Sequence, residues 1–508
     1  MAEQVSAELR EAAISGARWT FSSQLTREIA AFVASVLLAR LVSPAEFGYA
    51  AVAMIVVALS AILGTAGCTI PLVQRDELTS RFVGAAVILC LSVAAVMTIA
   101  TIVTAEALVR PVFGDRTAEL TLLASPAWLL VAVGAPSHAL LQRAFRFRRI
   151  AVVEASAALL GYASAVALAK AGAGGAAVVG GSLVLVGSTG LLSFAARPVR
   201  SFRTDRGAVG DLLGFATPAG LSSLVYIVYR NVDYAILGAR TTPAQLGYYW
   251  RAWQLGVNYQ SRISNVMQWV SLPVFSRASS AGELRAIYAR IVRTHATVLV
   301  PLLAVFIGAA PVLIPWLFSS TWEPAVVPAQ IMAVAGMAEA ITIGVGPLLV
   351  ALGRPGVLLR WNLVVLAVYA VTIFVLAPYG IDTVAVGVAG FGVLSVLGVQ
   401  AFIRRPFAGL TFRDLWDETR AGILVAAGVL TVAILAREAL EKAGLAPYFL
   451  LPLLGAVCLL TYAVLLRVFF AAEWRDLLTI LRAVAGHERG AEWPDRAAAV
   501  GLVHNRNT

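Results

Sequence analysis

Fourteen stretches of about twenty predominantly apolar residues follow one another along this chain, and each is long enough to cross the hydrocarbon core of a membrane as an α-helix. Hydrophobic side chains make up 60% of the 508 residues and charged ones only 13%, whereas soluble proteins carry about 25% charge. This composition excludes a water-soluble enzyme and a nucleic-acid-binding protein. It predicts an all-α polytopic membrane protein with about 14 transmembrane helices. The predicted spans are 18–41, 46–67, 82–105, 119–141, 150–170, 173–196, 211–239, 244–273, 294–318, 325–352, 357–378, 381–403, 420–437 and 447–469.

The basic residues predict how these spans are oriented. If the N-terminus is cytoplasmic, 28 of the 39 lysines and arginines fall in cytoplasmic segments, 7 fall on the opposite side and 4 lie inside spans. Short cytoplasmic loops carry such an excess of positive charge. Both termini are therefore predicted to be cytoplasmic, and the charged and apolar residues after position 470 predict an amphipathic helix lying on the membrane.

The chain contains an internal repeat. Residues 43–49 (SPAEFGY) and 242–248 (TPAQLGY) are similar at an offset of 199. Proline and glycine end many helices, so one such match would be weak, but an ordered series with a slowly growing offset indicates a duplication. The further pairs are Pro71 and Arg75 with Pro273 and Arg277, Phe113 with Phe318, and 141–143 with 352–354. The repeat predicts two parallel six-helix bundles, 1–206 and 207–406, followed by 407–508 with two further helices and the amphipathic tail.

Charged residues inside the spans are the candidate functional residues, because a charge at the bilayer centre costs about 2.5 kcal/mol or more and usually faces a cavity or a partner. The first, seventh and eighth spans together hold four arginines and two carboxylates. This excess predicts a cationic cavity for an anion, and the planar guanidinium group suits phosphate oxygens. The alternative is that these residues form structural ion pairs between helices. The candidates for binding a diphosphate or sugars are Gln24, Arg27, Arg230, Arg251, Asn258, Arg262 and Asn265.

Carboxyl groups inside the spans are candidates for ion or proton coupling, because a buried carboxyl with a raised pKa can carry a proton. These candidates are Glu28, Asp233 and Glu339. Glu154 has no cation near it in its own span, so we interpret it in the same way, with a hydrogen-bonded side chain as the alternative. The aromatic residues around Tyr248, Tyr249 and Trp253 could stack on sugars or lie at the membrane interface.

No motif for catalysis, for a metal or for a cofactor is recognisable. The three cysteines lack metal-ligand spacing, and the glycine-rich run 172–175 lacks the Lys-Ser/Thr ending of a phosphate-binding loop. We therefore expect a protein that is not an enzyme and binds neither nucleotide nor nucleic acid.

Several short segments resemble a known family. They are 16–19 (GARW), 38–48 (LARLVSPAEFG), 72–75 (LVQR), Asp233 followed by Leu237-Gly238, 247–249 (GYY) and 322–325 (WEPA). The chain resembles the polysaccharide-transporter branch, the Wzx-type oligosaccharide flippases, of the multidrug/oligosaccharidyl-lipid/polysaccharide exporter superfamily. The resemblance covers almost the whole chain.

The resemblance implies a multi-pass protein of the bacterial cytoplasmic (inner) membrane that works by alternating access. Its substrate would be an undecaprenyl-diphosphate-linked oligosaccharide, moved from the inner to the outer leaflet for exopolysaccharide or lipopolysaccharide synthesis. Its expected partners are this lipid-linked substrate, the lipid bilayer, and the glycan polymerase and export machinery. The alternatives are a lipid II flippase and an ion-coupled drug or cation exporter of the same superfamily, although the exporter should have an acidic cavity.

Overall fold

The computed structural model describes residues 2–75, 77–199, 203–261, 264, 275, 280–407 and 411–484. This part of the chain is built of α-helices and short turns, with no strand. Eleven of its helices are long and apolar enough to cross a membrane, which confirms the prediction of a polytopic all-α protein. The three remaining predicted spans, 18–41, 211–239 and 244–273, are those that contain the intramembrane arginines. The total of fourteen and the cytoplasmic position of the termini stay predictions.

The chain divides by its internal contacts into two compact units, Met1–Trp250 and Arg251–Thr508. The domain boundary that the repeat predicts, at residues 206 and 207, stays a prediction. Unit 1 contains α1 (Ala2–Leu41), α2 (Pro44–Gln74), α3 (Ser80–Thr104), α4 (Asp115–Ala124), α5 (Ala127–Arg143), α6 (Phe147–Lys170), α7 (Gly175–Ala196), α8 (Arg206–Arg240) and most of α9 (Pro243–Trp253).

Helix starts in unit 1 follow from local sequence. The Ser43 hydroxyl accepts a hydrogen bond from the backbone N–H of Glu46 at 3.4 Å, and Pro44 occupies the first position of α2, where its missing N–H costs nothing. Asp205 caps α8 by accepting from the N–H of Ala208 at 2.8 Å. That hydrogen bond, followed by one from Arg81, holds the pKa of Asp205 below its usual range.

Small residues allow the helices of unit 1 to pack closely, as is usual inside membranes. Gly134 of α5 lies directly against Gly190 of α7, where a Cβ on Gly134 would come within 2.2 Å of the Gly190 Cα. Gly161 of α6 faces Gly181 of α7 in the same way. These contacts join α5, α6 and α7 into one layer.

Unit 2 contains α10 (Ala281–Phe318), α11 (Val326–Thr342), α12 (Val345–Ala351), α13 (Pro355–Leu376), α14 (Ile381–Phe407), α15 (Phe412–Lys442), α16 (Pro447–Phe469) and α17 (Ala471–Val484). One buried cluster joins α10, α11, α14 and α15. A second joins α15 and α16, and Trp474 and Leu477 of α17 pack against it.

The lipid-facing surface is apolar. Val96, Ile99 and Val103 on one face of α3, and Leu459 and Leu460 on α16, are each more than half exposed. Soluble monomers rarely expose apolar faces of this size to water. These faces therefore contact the hydrocarbon of the membrane.

Candidate functional site

Arg27 is the centre of a polar network in unit 1. Its Nη1 lies 3.0 Å from Oε2 of Glu154 on α6, and its Nη2 donates to the side-chain oxygen of Gln24. Gln24 in turn donates to Oε1 of Glu28 at 2.8 Å. The polar candidates of α1 thus form a connected chain of side chains, in which the charge of Arg27 is balanced by a carboxylate on a neighbouring helix.

Glu154 has no cation near it in its own span, but Arg27 on a neighbouring helix pairs with it, so the expectation of a carboxyl without a nearby cation was wrong. His138 of α5 adds a further titratable group, since its Nε2 lies 3.9 Å from Oε1 of Glu154. The other ring nitrogen of His138 lies 3.3 Å from the hydroxyl of Ser193 on α7. The network therefore connects α1, α5, α6 and α7 within unit 1.

Asp233 joins α8 to α9. It is fully buried and its Oδ2 accepts a hydrogen bond from the phenol of Tyr249 at 2.9 Å. Tyr249 is itself fully buried and makes an edge-to-face contact with Tyr234. Tyr249 is therefore not open to a sugar in this structure, and it satisfies a carboxyl that would otherwise be costly to bury. Arg230, one turn before Asp233, is half-buried.

Arg251 contacts two aromatic rings in unit 2. Its guanidinium carbon is 4.7 Å from the ring centre of Phe318 and 4.8 Å from that of Trp322, and its exposed fraction is 1%. Cation–π contacts of this kind are strongest when the charge is shielded from water. The sequence predicted a residue lining a cavity, whereas here the guanidinium is enclosed by protein. A role for Arg251 in binding stays a prediction.

Two polar side chains of the eighth predicted span, Asn258 and Ser261, form hydrogen bonds within unit 2. Asn258 donates to the side-chain oxygen of Gln254 at 2.6 Å, in the π-helical turn that continues α9. The Ser261 hydroxyl donates to Oε1 of Glu339 on α11 at 3.2 Å. Glu339 is half-buried. The candidates Arg262 and Asn265 lie outside the described residues.

The structure thus brings Gln24, Arg27 and Glu28 together, and it gives Asp233 and Glu339 partners that the sequence did not predict. Whether the seven binding candidates share one cavity stays a prediction. The partners of Arg27, Asp233 and Glu339 that the sequence did not predict, namely Glu154, Tyr249 and Ser261, lie on other helices. Sequence periodicity describes only one helix at a time.

The two copies of the repeated motif meet within unit 1, a contact that the sequence analysis missed. A Cβ on Gly48 would lie 1.8 Å from the carbonyl oxygen of Pro243, and a Cβ on Gly247 would lie 1.9 Å from the carbonyl oxygen of Pro44. The contact is reciprocal, as expected for two related segments around a local two-fold axis. The identical spacing of proline and glycine in both copies was the signal that could have predicted it.

Comparisons with known proteins identify the family and the fold of this chain. Residues 37–327, more than half of the chain, match the family model described as polysaccharide biosynthesis protein. The chain is 22% identical over 358 residues to the lipopolysaccharide biosynthesis protein WzxC of Escherichia coli (strain K12), covering 70% of this chain and 73% of that protein. It is 23% identical over 372 residues to the teichuronic acid biosynthesis protein TuaB of Bacillus subtilis (strain 168), covering 72% and 77%.

Two solved structures are similar in fold. One is the lipid II flippase MurJ in an inward closed conformation, with a TM-score of 0.67 and 14% identity, covering 92% of this chain and 100% of that chain. The other is an inward-facing multidrug resistance MATE family transporter of the MOP superfamily, with a TM-score of 0.64 and 15% identity, covering 75% and 94%. At these identities the likeness concerns the fold alone. The chain belongs to the polysaccharide biosynthesis protein family, and it is a multi-pass protein of the bacterial cytoplasmic membrane with the fold of the MOP superfamily.

Proposed function

We propose that this protein is a flippase that moves an undecaprenyl-diphosphate-linked oligosaccharide repeat unit from the inner to the outer leaflet of the cytoplasmic membrane. The glycan would then be used for exopolysaccharide or lipopolysaccharide synthesis. The observation that carries the proposal is the family match over residues 37–327, together with relatives that are themselves named for polysaccharide biosynthesis. The arginines inside the predicted spans supply the chemistry for a diphosphate.

The proposed mechanism is alternating access through a cavity whose cations hold the diphosphate while the prenyl chain remains in lipid. Arg27, Arg230 and Arg262 are the proposed diphosphate contacts, and Gln24, Asn258 and Asn265 are polar groups suited to sugar hydroxyls. Arg251 can contact the diphosphate only if Phe318 and Trp322 move away from its guanidinium group during transport. Substrate discrimination would then depend on charge at the diphosphate and on hydrogen bonds at the sugars.

Arg27 can exchange partners in this mechanism. A diphosphate oxygen and the Glu154 carboxylate are both anionic acceptors for the same guanidinium group. When the diphosphate replaces Glu154, that carboxylate loses its cation, and uptake of a proton by Glu154 or by neighbouring His138 restores charge balance. Glu28, Asp233 and Glu339 are the other proposed groups for ion or proton coupling.

Gene deletion followed by identification of the accumulating lipid-linked glycan tests the proposed substrate. We expect a prenyl-diphosphate-linked oligosaccharide to accumulate on the inner leaflet and the surface glycan to be lost. Accumulation of lipid II would instead assign the protein as a lipid II flippase. Unchanged lipid-linked intermediates together with increased sensitivity to cationic drugs would assign it as a drug exporter.

Complementation of the deletion strain tests the residues. Arg230→Ala and Arg262→Ala should each lower glycan export by about tenfold or more, because each removes a charge-assisted contact to the diphosphate. Arg437→Ala is the matched control, since Arg437 lies outside the proposed path and pairs with Glu438 and Glu441. Full export by both single variants and by the double variant, at normal protein levels in the membrane, would rule out these arginines as diphosphate contacts.

A further inference from the structure

A cavity of about 590 Å³ opens between the beginning of α6 and the end of α7 in unit 1. This end of the unit is the one that the distribution of basic residues predicts to face the cytoplasm. We call the cavity the arginine pocket. Its lining includes Arg146, Arg148, Arg149, Val152, Ser156 and Leu192.

Among the described residues, no carboxylate pairs with the three arginines of the pocket. Arg149 donates to the backbone carbonyl of Ala196 at 3.2 Å, and the Arg148 guanidinium lies 5.1 Å from the ring centre of Trp19. Within the part of the chain that the structure describes, none of the three forms an ion pair with an aspartate or glutamate. The pocket therefore presents three cations, two of which contact neutral groups.

Other arginines at the same end of unit 1 differ in this respect. Arg75 pairs with Asp211 at 3.1 Å, and Arg81 pairs with Asp205 at 3.1 Å. Their charges are balanced by neighbouring helices, as expected for residues that mainly hold helix ends together. The contrast indicates that the arginine pocket is available to an anion from outside the chain.

The pocket also has apolar lining, and exposed apolar side chains lie on the same two helices. Val152 of α6 is 52% exposed, and Leu159 and Leu191 on α6 and α7 lie further along the same pair of helices, with exposed fractions of 51% and 60%. The exposed ring of Phe145 packs edge-on against Phe147 beside the arginines, and aromatic side chains favour the membrane interface. A free phosphate ion would use the arginines but gain nothing from this apolar surface.

We propose that the arginine pocket binds an anionic phospholipid of the inner leaflet. The lipid phosphate contacts Arg146, Arg148 and Arg149 near the positive end of the α6 helix dipole, and one acyl chain lies along the apolar groove below. Basic pockets between transmembrane helices at the cytoplasmic side are suited to such headgroups. This assignment does not depend on which glycan the protein transports.

Native mass spectrometry of the full-length protein tests the proposal, with phosphatidylglycerol and phosphatidylcholine added separately after delipidation. We expect the unaltered protein to retain phosphatidylglycerol in preference to phosphatidylcholine. The triple variant Arg146→Gln, Arg148→Gln, Arg149→Gln should bind phosphatidylglycerol about tenfold or more weakly. Arg81→Gln is the matched control and should leave binding unchanged, because Arg81 is also exposed at this end of unit 1 but belongs to an ion pair.

A second variant tests whether lipid binding needs the cavity itself or only the positive charge of the arginines. Ser156→Phe fills the cavity but keeps all three arginines, so it should weaken phosphatidylglycerol binding without changing topology or net charge. Equal retention of phosphatidylglycerol by the unaltered protein and both pocket variants would overturn the proposal. A competition experiment could also overturn the proposal. If an equal concentration of undecaprenyl diphosphate displaced phosphatidylglycerol from the unaltered protein, and if the pocket variants no longer bound undecaprenyl diphosphate, the pocket would be a site for the prenyl carrier instead.

Discussion

The two copies of the repeated motif begin α2 and α9 with the same local design but make different longer-range contacts. In each copy a hydroxyl, Ser43 or Thr242, caps the helix, and a proline occupies the first helical position. In each copy a glycine, Gly48 or Gly247, lies against the backbone of the other copy. The two copies therefore share the same turn and contact each other.

The difference lies at the third residue of each helix. Glu46 of the first copy accepts from Arg116 on α4 at 3.1 Å and from the backbone N–H of Gly175 at the start of α7 at 2.5 Å. Gln245 of the second copy only completes a local capping box, accepting from the N–H of Thr242 at 3.2 Å. One acidic residue thus connects the first copy to two further helices.

The backbone at Gly174 lies close to the Glu46 carboxylate. It has a positive φ of 57°, and a Cβ there would lie 2.5 Å from the Glu46 carboxylate. The comparison teaches that the reciprocal glycine contact is a property of both copies, whereas connection to the rest of unit 1 is specific to the first.

The largest expected effect comes from the shared contact. Gly48→Ala and Gly247→Ala should each lower the free energy of unfolding by about 3 kcal/mol or more, because the new methyl group would overlap a carbonyl oxygen on a packed backbone. The two variants should be similarly affected, since the two distances are nearly equal. The midpoint of thermal unfolding in detergent and the amount of folded protein in membranes measure the effect.

Gly390→Ala on α14 is the matched control, because a Cβ there meets no atom within 4 Å. It should leave the unfolding midpoint unchanged or slightly higher, as alanine favours a helix over glycine. If Gly48→Ala and Gly247→Ala behaved like this control, the close contact between the copies would not exist in the membrane.

A smaller effect should separate the two copies. Glu46→Gln gives the first copy the residue of the second, and it should cost about 2 kcal/mol because a charge-assisted hydrogen bond to Gly175 and the pair with Arg116 are both weakened. Gln245→Glu, the reverse exchange, should change stability little, since its contacts are local. Equal losses in both variants would show that the first copy is not specially connected.

Sequence reasoning predicted the parts of this fold that depend on composition and spacing. The apolar stretches predicted the eleven described spans because length and hydropathy alone decide whether a helix can cross a membrane. The offset of 199 identified two related segments, although not their contact. The polar face of α1 was also predictable, since Gln24, Arg27 and Glu28 follow helical spacing.

The partners of the intramembrane charges could not be predicted. Glu154 lies on a different helix from Arg27, and its approach depends on how α1 packs against α6. For the same reason the sequence predicted that Arg251 lines a cavity, but could not place two aromatic rings around it. Helical periodicity gives the face on which a charge lies, whereas the tertiary packing decides whether that face meets water, a carboxylate or a ring.

The smallest expected effect tests a second difference between the repeats. Val52 of the first repeat corresponds to Arg251 at the offset of 199, and Phe113 corresponds to Phe318 at an offset of 205. Val52 and Phe113 pack together around Gly238 in an apolar cluster, so the same place in the second repeat holds a buried arginine. Thr117 stands where the second repeat has Trp322, which supplies the additional ring.

Arg251→Leu would give the second repeat an apolar residue like that of the first. We expect stability to change by no more than about 1 kcal/mol, because the lost cation–π contacts are offset by removing the cost of burying a charge. Thermal unfolding and glycan export should be measured on the same preparation, with Val52→Leu as the control in the first repeat. Normal stability with lost export would assign Arg251 to the substrate path after all, since a purely structural residue replaced by a well-packed apolar one should preserve both properties.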